Sequence, residues 1–305
     1  MNGTNGTNGT NGVNGSRRQP WSPGRTNSNR DYNRDYNRDY DRDYDRDYDR
    51  DYDRDYNHDN DNDPIHPYLP SQPKSLRGIA LRAFALGITL SLSLLTTLLL
   101  LTLTNSPLWR LPFFLTALSL FHFLEFYTTA TYNTRAAAVS SFLLTSNWPA
   151  YAIAHTTALL ECFITNLFWP NTSWTPLFGH TGTRFLVAVG LTLVIAGQAV
   201  RSAAMVHAAQ SFNHTVQYRR QRDHVLVTSG IYSVLRHPSY FGFFWWALGT
   251  QLVMGNVLSF GGYAVVLWRF FSGRVRYEER YLVAFFGGEY EEYRRGVGVW
   301  IPWVG

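Results

Sequence analysis

Apolar and polar positions divide the chain into a polar tail and a series of runs long enough to lie in lipid. From Ile79 to Thr104 nearly every position is Leu, Ile, Ala or Thr, and a hydrocarbon core of about 30 Å needs roughly 20 such residues in a helix. Asn105-Ser106-Pro107 breaks that run. A second extends from Leu108 to about Thr131, a third from about Trp148 to Trp169, and a fourth from Arg184 to about Ala209. Pro170 and Asn171-Thr172-Ser173 end the third. Two shorter runs, Tyr240 to about Val257 and Leu258 to Phe271, meet at Gly255-Asn256 and predict a short helical hairpin. The pattern predicts an all-α, polytopic membrane protein with about six transmembrane helices.

The tail differs in kind. It opens on Asn-Gly-Thr triplets and continues as Arg-Asp-Tyr and Asp-Tyr-Asp repeats from Arg30 to Tyr56. Such a segment has too little aliphatic surface to offset the entropy of ordering it. Residues 1–73 are therefore expected to be a disordered low-complexity tail, and residues 74–305 the membrane domain. Tyrosine phosphorylation or self-association are alternative roles for the repeats; a solvated linker is the default.

Charge refines the picture. The tail sets 10 Arg against 14 Asp, a formal −4, while the body sets 17 Lys and Arg against 8 Asp and Glu, a formal +9. The basic residues flank apolar runs instead of forming one soluble face, which argues against nucleic acid. Lys74, Arg77 and Arg82 precede the first run and Arg135 follows the second. Arg219, Arg220, Arg222 and Arg236 follow the fourth, and Arg274, Arg276, Arg280, Arg294 and Arg295 follow the sixth. With six spans all fall on one side, predicting cytosolic termini and a cytosolic C-terminal region. The Asn-Gly-Thr triplets match the glycosylation pattern but lie on that side; Asn171-Thr172-Ser173 is the lumenal match. The tail has no apolar core of a signal peptide, and the IPWVG ending carries no prenylation cysteine. Cys162 is the single cysteine, so neither an internal disulfide nor a cysteine metal site is expected. His122 and Glu125 are too few for a metal and suit an inter-helix hydrogen bond.

The stretch from His224 to Glu279 carries the candidate chemistry, because ionisable groups at a bilayer edge are costly and mark function. Gly230 permits a tight return. Pro238 disfavours helical geometry at His237 and suits the first turn of the next helix, which places His237 and Tyr240 at its mouth. Arg274 and Glu278, four apart, share a helix face, and a guanidinium fork suits a carboxylate. Plainer readings stand beside these. Arg274 serves equally as a positive-side anchor, its pairing with Glu278 as a weak surface ion pair, His224 as a loop cap and Glu279 as a solvated side chain. The aromatic run Phe241–Trp246 suits lipid-facing packing.

The segments HVLVTSGIY, RHPSYFG, WWALGTQ, FF-x-x-R with Glu278-Glu279, FFGGEYEEY through IPW, and the upstream FHFLEFYTTATYN together resemble the isoprenylcysteine carboxyl methyltransferase family, over about Lys74 to Gly305. That resemblance implies a multi-pass enzyme of the endoplasmic reticulum membrane with a cytosolic cofactor pocket in residues 211–305. Its implied reaction is S-adenosylmethionine-dependent esterification of the prenylcysteine α-carboxylate of processed CaaX proteins, such as Ras-like and Rho-like GTPases or lipidated peptide pheromones. It implies cofactor contacts at Gln217, His224, Val225, Leu226, Val227, Tyr232, His237, Pro238, Ser239, Tyr240 and Glu278, a catalytic pair in Arg274 and Glu278, and a substrate contact at Arg274. Arg236 would support the pocket. The chain departs from the family at Asn256, followed by Val257 instead of Pro. Two alternatives remain. One is a phospholipid amine methyltransferase, which would need a route to deprotonate the amine. The other is a sterol-reductase-like or non-catalytic sterol-binding protein, although no Gly-rich dinucleotide fingerprint is evident.

Overall fold

The computed structural model describes residues 64–146, 148–170, 174–217, 219–220 and 224–304. The repeat tail through 63, the Asn171–Ser173 cluster and Arg222 lie outside the described residues, with the expectations attached to them. Among the described residues the fold is helical and contains no strand: α1 (Leu76–Leu103), α2 (Arg110–Tyr132), α3 (Ala150–Phe168), α4 (Thr175–Ala208), α5 (Pro238–Met254), α6 (Val257–Phe286) and α7 (Gly288–Gly296). Ahead of α1, residues 64–75 form turns and a single 3₁₀ turn, His66–Tyr68.

Three of these helices, α1, α2 with its lead-in from Pro107, and the α4 region from Pro176 to Ser211, are long and apolar enough to cross a bilayer. The Ser75 side chain accepts from Gly78 N at 3.2 Å and caps α1. Thr89, Thr96 and Thr102 return their hydroxyls to carbonyls four residues back, so they face outward with no unmet donor. α4 starts nine residues before the predicted run and is interrupted at Gly179, where φ is +65°.

The tightest packing is between α4 and α5. Gly197 faces Gly242 and Gly190 faces Gly249, so two pairs seven residues apart bring the backbones together. A Cβ on Gly197 would sit 2.6 Å from Gly242 O and 2.7 Å from Trp246 N. Small residues that allow such approach are a principal way to join helices in lipid.

α5 begins as its sequence predicts: Pro238 is the first helical residue and His237 takes φ −125°, ψ 66°. It ends at Gly255 in the left-handed region. The turn into α6 is anchored to α3. Asn256, fully buried, donates to Ala158 O (2.9 Å) and Gln251 Oε1 (2.8 Å). Glu161 takes the N–H groups of Leu258 (2.8 Å) and Ser259 (2.7 Å) together with the Ser259 hydroxyl, capping α6 with a carboxylate. α6 does not stop at Phe271, where its apolar run ends. It continues to Phe286, so Arg274, Glu278 and Glu279 ride on the same rigid helix as the apolar segment. After α7 the chain returns along α5 and α6, burying Val299 and Ile301 against Phe244, Leu248, Phe271 and Val275.

Candidate active site

The first turn of α5 meets the charged half of α6. The Tyr240 hydroxyl donates to Glu278 Oε2 (2.5 Å) and accepts from Arg274 Nε (2.8 Å). The Tyr240 ring stacks between His237, 5.4 Å away and nearly parallel, and Phe271 at 5.1 Å. The Arg274 guanidinium carbon lies 5.5 Å from the Tyr240 ring centroid and 6.0 Å from that of Phe270, and Arg274 Nη2 donates to His214 O (2.6 Å). A half-buried cation is thus fixed by a hydroxyl, a carbonyl and two aromatic faces.

Glu279 is not solvated, contrary to its simplest sequence reading. It is 5 % exposed and faces inward. Its carboxylate meets Arg236 Nε at 2.6 Å, His237 Nε2 at 3.3 Å and Arg294 Nη1 at 3.4 Å. Arg236 also donates to Arg294 O and Val297 O, and its main-chain N–H to Gly298 O. This cluster ties the residue before the HPSY turn to α6 and to the C-terminal return.

A third layer lies beneath. Arg201 of α4 pairs with Glu125 of α2 through two bonds, 2.5 and 2.8 Å, both side chains being deeply buried. Arg201 Nη1 also donates to Ser239 O (3.1 Å). His214 lies against the same pair: its Nδ1 is 3.6 Å from Glu125 Oε2 and its Nε2 3.2 Å from Thr129 Oγ1. Burial lowers the His214 pKa to about 4, opposed by Glu125 and assisted by Arg201 and Arg274, so its imidazole is neutral at pH 7. Sequence reasoning missed Arg201 and His214. An Arg deep inside the fourth apolar run and a single Glu in the second are the signal that an intramembrane pair leaves. His122 takes the inter-helix role expected of it, with Nδ1 at 2.7 Å from Phe142 O and Nε2 at 3.0 Å from Tyr151 OH.

The remaining candidates lie in the loop between α4 and α5 and in the first turn of α5. Gly230, at φ +60°, makes the expected return and lies against the His207 ring. Tyr232 follows it, donating to Ala204 O (3.3 Å) while its own carbonyl accepts from Tyr293 (2.6 Å). Burial and the nearby Glu278 carboxylate raise its pKa. His224 packs edge-on to Phe285 and Phe286. Burial and Arg220 lower its pKa, with Glu278 opposing. Val225 is exposed, while Leu226 and Val227 are half-buried. Gln217 bonds Thr215 in the preceding loop. Pro238 and Ser239 are buried in the turn itself. The structure therefore gathers His237, Tyr240, Arg274 and Glu278 tightly, and sets Tyr232 and His224 within electrostatic reach of Glu278. Among the described residues no group of three or more His, Cys, Asp or Glu side chains is placed to hold a metal.

The chain is similar to known proteins in sequence and in fold. A family-wide sequence profile, described as the isoprenylcysteine carboxyl methyltransferase family, matches residues 188–284. A protein-S-isoprenylcysteine O-methyltransferase of Saccharomyces cerevisiae is 48 % identical over 192 residues, covering 63 % of this chain and 79 % of the relative. One of Homo sapiens is 37 % identical over 226 residues, covering 74 % and 75 %. Among solved structures, a eukaryotic intramembrane Ras methyltransferase, named as an isoprenylcysteine carboxyl methyltransferase, superposes with a TM-score of 0.67 at 34 % identity, covering 74 % of this chain and 77 % of its own. On the sequence match, the superposition and the shared motifs, the chain belongs to the isoprenylcysteine carboxyl methyltransferase family.

Proposed function

We propose that this chain, by family a methyltransferase of isoprenylcysteine carboxylates, takes S-adenosylmethionine as methyl donor and esterifies the exposed α-carboxylate of a farnesylated or geranylgeranylated cysteine. The observation that carries the reading is the half-buried Arg274 guanidinium, held by the Tyr240 hydroxyl and His214 O beside the first turn of α5. A guanidinium fork held in this way suits a carboxylate nucleophile better than an amine.

The chemistry asks little of acid–base groups. An α-carboxylate has a pKa near 3.5, roughly, and is already ionised at pH 7. The bound cofactor supplies a methyl carbon on a positively charged sulfur. The side chains fit that group: Glu278, with Oε2 on Tyr240, offers a carboxylate for an ammonium, and the His237–Tyr240 stack offers an aromatic wall. Gln217, His224, Val225, Leu226, Val227, Tyr232, Pro238 and Ser239 complete the proposed cofactor surface. Arg274 is proposed to orient the carboxylate; such alignment can supply about 7–11 kcal/mol in favourable cases. Tyr240 and Phe271 limit water around the carboxylate, which strengthens it as a nucleophile.

The wider setting belongs to the same proposal. α3, α5 and α6 add spans to the three long apolar helices, giving about six, with α5 and α6 as a hairpin. Both termini and the site face the cytosol of the endoplasmic reticulum membrane. Residues 1–73 form a linker to the membrane domain 74–305, whose part from 211 onward carries the site. Substrates are processed CaaX proteins, including Ras-like and Rho-like GTPases and lipidated peptide pheromones. Membranes carrying the full chain are expected to move a labelled methyl group from S-adenosylmethionine to acetyl-farnesyl-cysteine. Label appearing in phospholipid headgroups and not in the prenylcysteine would overturn the reading.

A further inference from the structure

The C-terminal return, Val297 to Val304, is used by nothing above beyond its carbonyls. Its side chains alternate. Val299 and Ile301 are buried among Phe244, Leu248, Phe271 and Val275, and Val304 packs on the same cluster. Trp300 and Trp303 point the other way, 66 % and 91 % exposed. Both hold a left-handed backbone, φ +59° and +58°, a region that bulky L-residues rarely occupy. The indole of Trp268 on α6 donates to Pro302 O (2.9 Å), which fixes the level of the segment. Trp268 lies six residues before Arg274 on one continuous helix, about 9 Å toward the apolar end at 1.5 Å per residue.

From this placement we infer that residues 297–304 form a re-entrant anchor whose exposed indoles, Trp300 and Trp303, sit in the lipid interface of the leaflet on the Arg274 side. The occupant is lipid and not a protein partner for three reasons. Trp268, whose indole bonds Pro302 O, lies within one turn of α6 from Val265 and Val266, which are exposed and apolar. Its depth of roughly 5–10 Å from the charged rim is that of the headgroup–acyl boundary. Indole, an apolar body with one N–H donor, is the side chain enriched there. Because Arg236 hangs on Arg294 O, Val297 O and Gly298 O, the anchor is bonded directly to the cluster that holds His237. The inference depends on the membrane setting and not on the methyl-transfer reaction.

The test uses the full chain in phosphatidylcholine–phosphatidylserine nanodiscs, with Cys162→Ala and a nitroxide on Trp303→Cys. Oxygen is expected to relax the label more than a water-soluble nickel chelate does, whereas the same label on Glu291→Cys should show the reverse. Nickel accessibility at position 303 equal to that at 291 overturns the proposal. A second measurement leaves the anchor's own side chain in place: bromolipid quenching of tryptophan emission in the wild type against Trp303→Phe. The variant should lose a quenched component. An unchanged quenched component would place Trp303 in water and overturn the proposal independently of any labelling artefact.

Discussion

The hydroxyl of Tyr240 receives the Nε–H of Arg274 at 2.8 Å while its ring lies 5.5 Å from the same guanidinium carbon. One residue thus fixes both the edge and the face of the cation, and donates a hydrogen bond to Glu278. Tyr240→Phe keeps the stack with His237 and removes both bonds. Hydrogen bonds to charged groups contribute about 1.5–3 kcal/mol each. The kcat/KM for acetyl-farnesyl-cysteine should fall roughly ten- to hundredfold, and the melting temperature should fall as well, since the same two bonds join α5 to α6. A variant at wild-type activity would show that the Tyr240 hydroxyl is not what positions Arg274.

Arg274→Lys separates charge from shape. A lysine keeps the cation but cannot span Tyr240 OH and His214 O with one planar fork. Prenylcysteine turnover should drop at least tenfold, roughly the worth of one lost charge-assisted bond. S-adenosylmethionine binding, read by calorimetry, should change little. Equal losses in both would assign Arg274 to the frame and not to the substrate.

The buried Glu125–Arg201 pair makes a prediction about stability. Removing one partner strands the other charge, and such losses are about 3–5 kcal/mol. Glu125→Ala should therefore melt well below wild type. The double replacement Glu125→Leu with Arg201→Met should recover most of that stability yet remain inactive, because Ser239 O loses its donor. Recovery of activity along with stability would make the pair purely structural.

Much of this was legible in the chain and some was not. The turn into α5 follows from Pro238 and the backbone restriction it imposes on His237, and the return at Gly230 from a residue tolerant of positive φ. These are local effects, carried by adjacent residues. Glu279 reads as solvated because its spacing from Arg274 says nothing of Arg236 and His237, which are some 40 residues away and reach it only through folding. The length of α6 was also hidden. Apolar content stops at Phe271, yet the helix continues, because its charged residues find partners on α5 and the preceding loop. Arg201 was missed for a similar reason: its partner is on another helix, and only the mismatch of one cation in an apolar run pointed to it.

Packing of α4 on α5 sets where Arg201 stands. A Cβ on Gly242 would lie 2.6 Å from Gly197 O and 2.8 Å from Arg201 N, and backbone atoms have nowhere to move. Gly242→Val should force the helices apart, destabilising by roughly 1–3 kcal/mol as overpacked cores do. It should also slow methyl transfer by withdrawing Arg201 from Ser239 O. Gly261→Val, at an open position of α6, is the control and should leave the melting temperature within about a degree of wild type, as expected for surface changes. Equal melting of the two variants would show that close approach at Gly242 is not what seats the helices.

His214 gives the fold a defined acid limit. Its imidazole faces Glu125, Thr129, Arg201 and Arg274, and burial, assisted by the two guanidiniums, holds its pKa at about 4 against the pull of Glu125. In the unfolded chain the same group titrates near 6.5, roughly. Between these values the unfolded state binds a proton that the folded state excludes. Stability contributed by the neutral ring is thus complete above about pH 6.5 and is lost as pH falls toward 4, by at most about 3 kcal/mol. Melting curves from pH 4.5 to 7.5 should slope in the wild type. They should slope less in His214→Gln, which keeps a partner for Thr129 and carries no titrating charge. The same proton would place a third cation beside Arg201 and Arg274, loosening the bond from Arg274 to the His214 carbonyl. Because the folded protein takes that proton only near pH 4, methyl transfer should hold across the window in which stability declines and fail at its acid end, and His214→Gln should relieve both limits. Identical pH slopes in the two proteins would assign the acid limit to a different group.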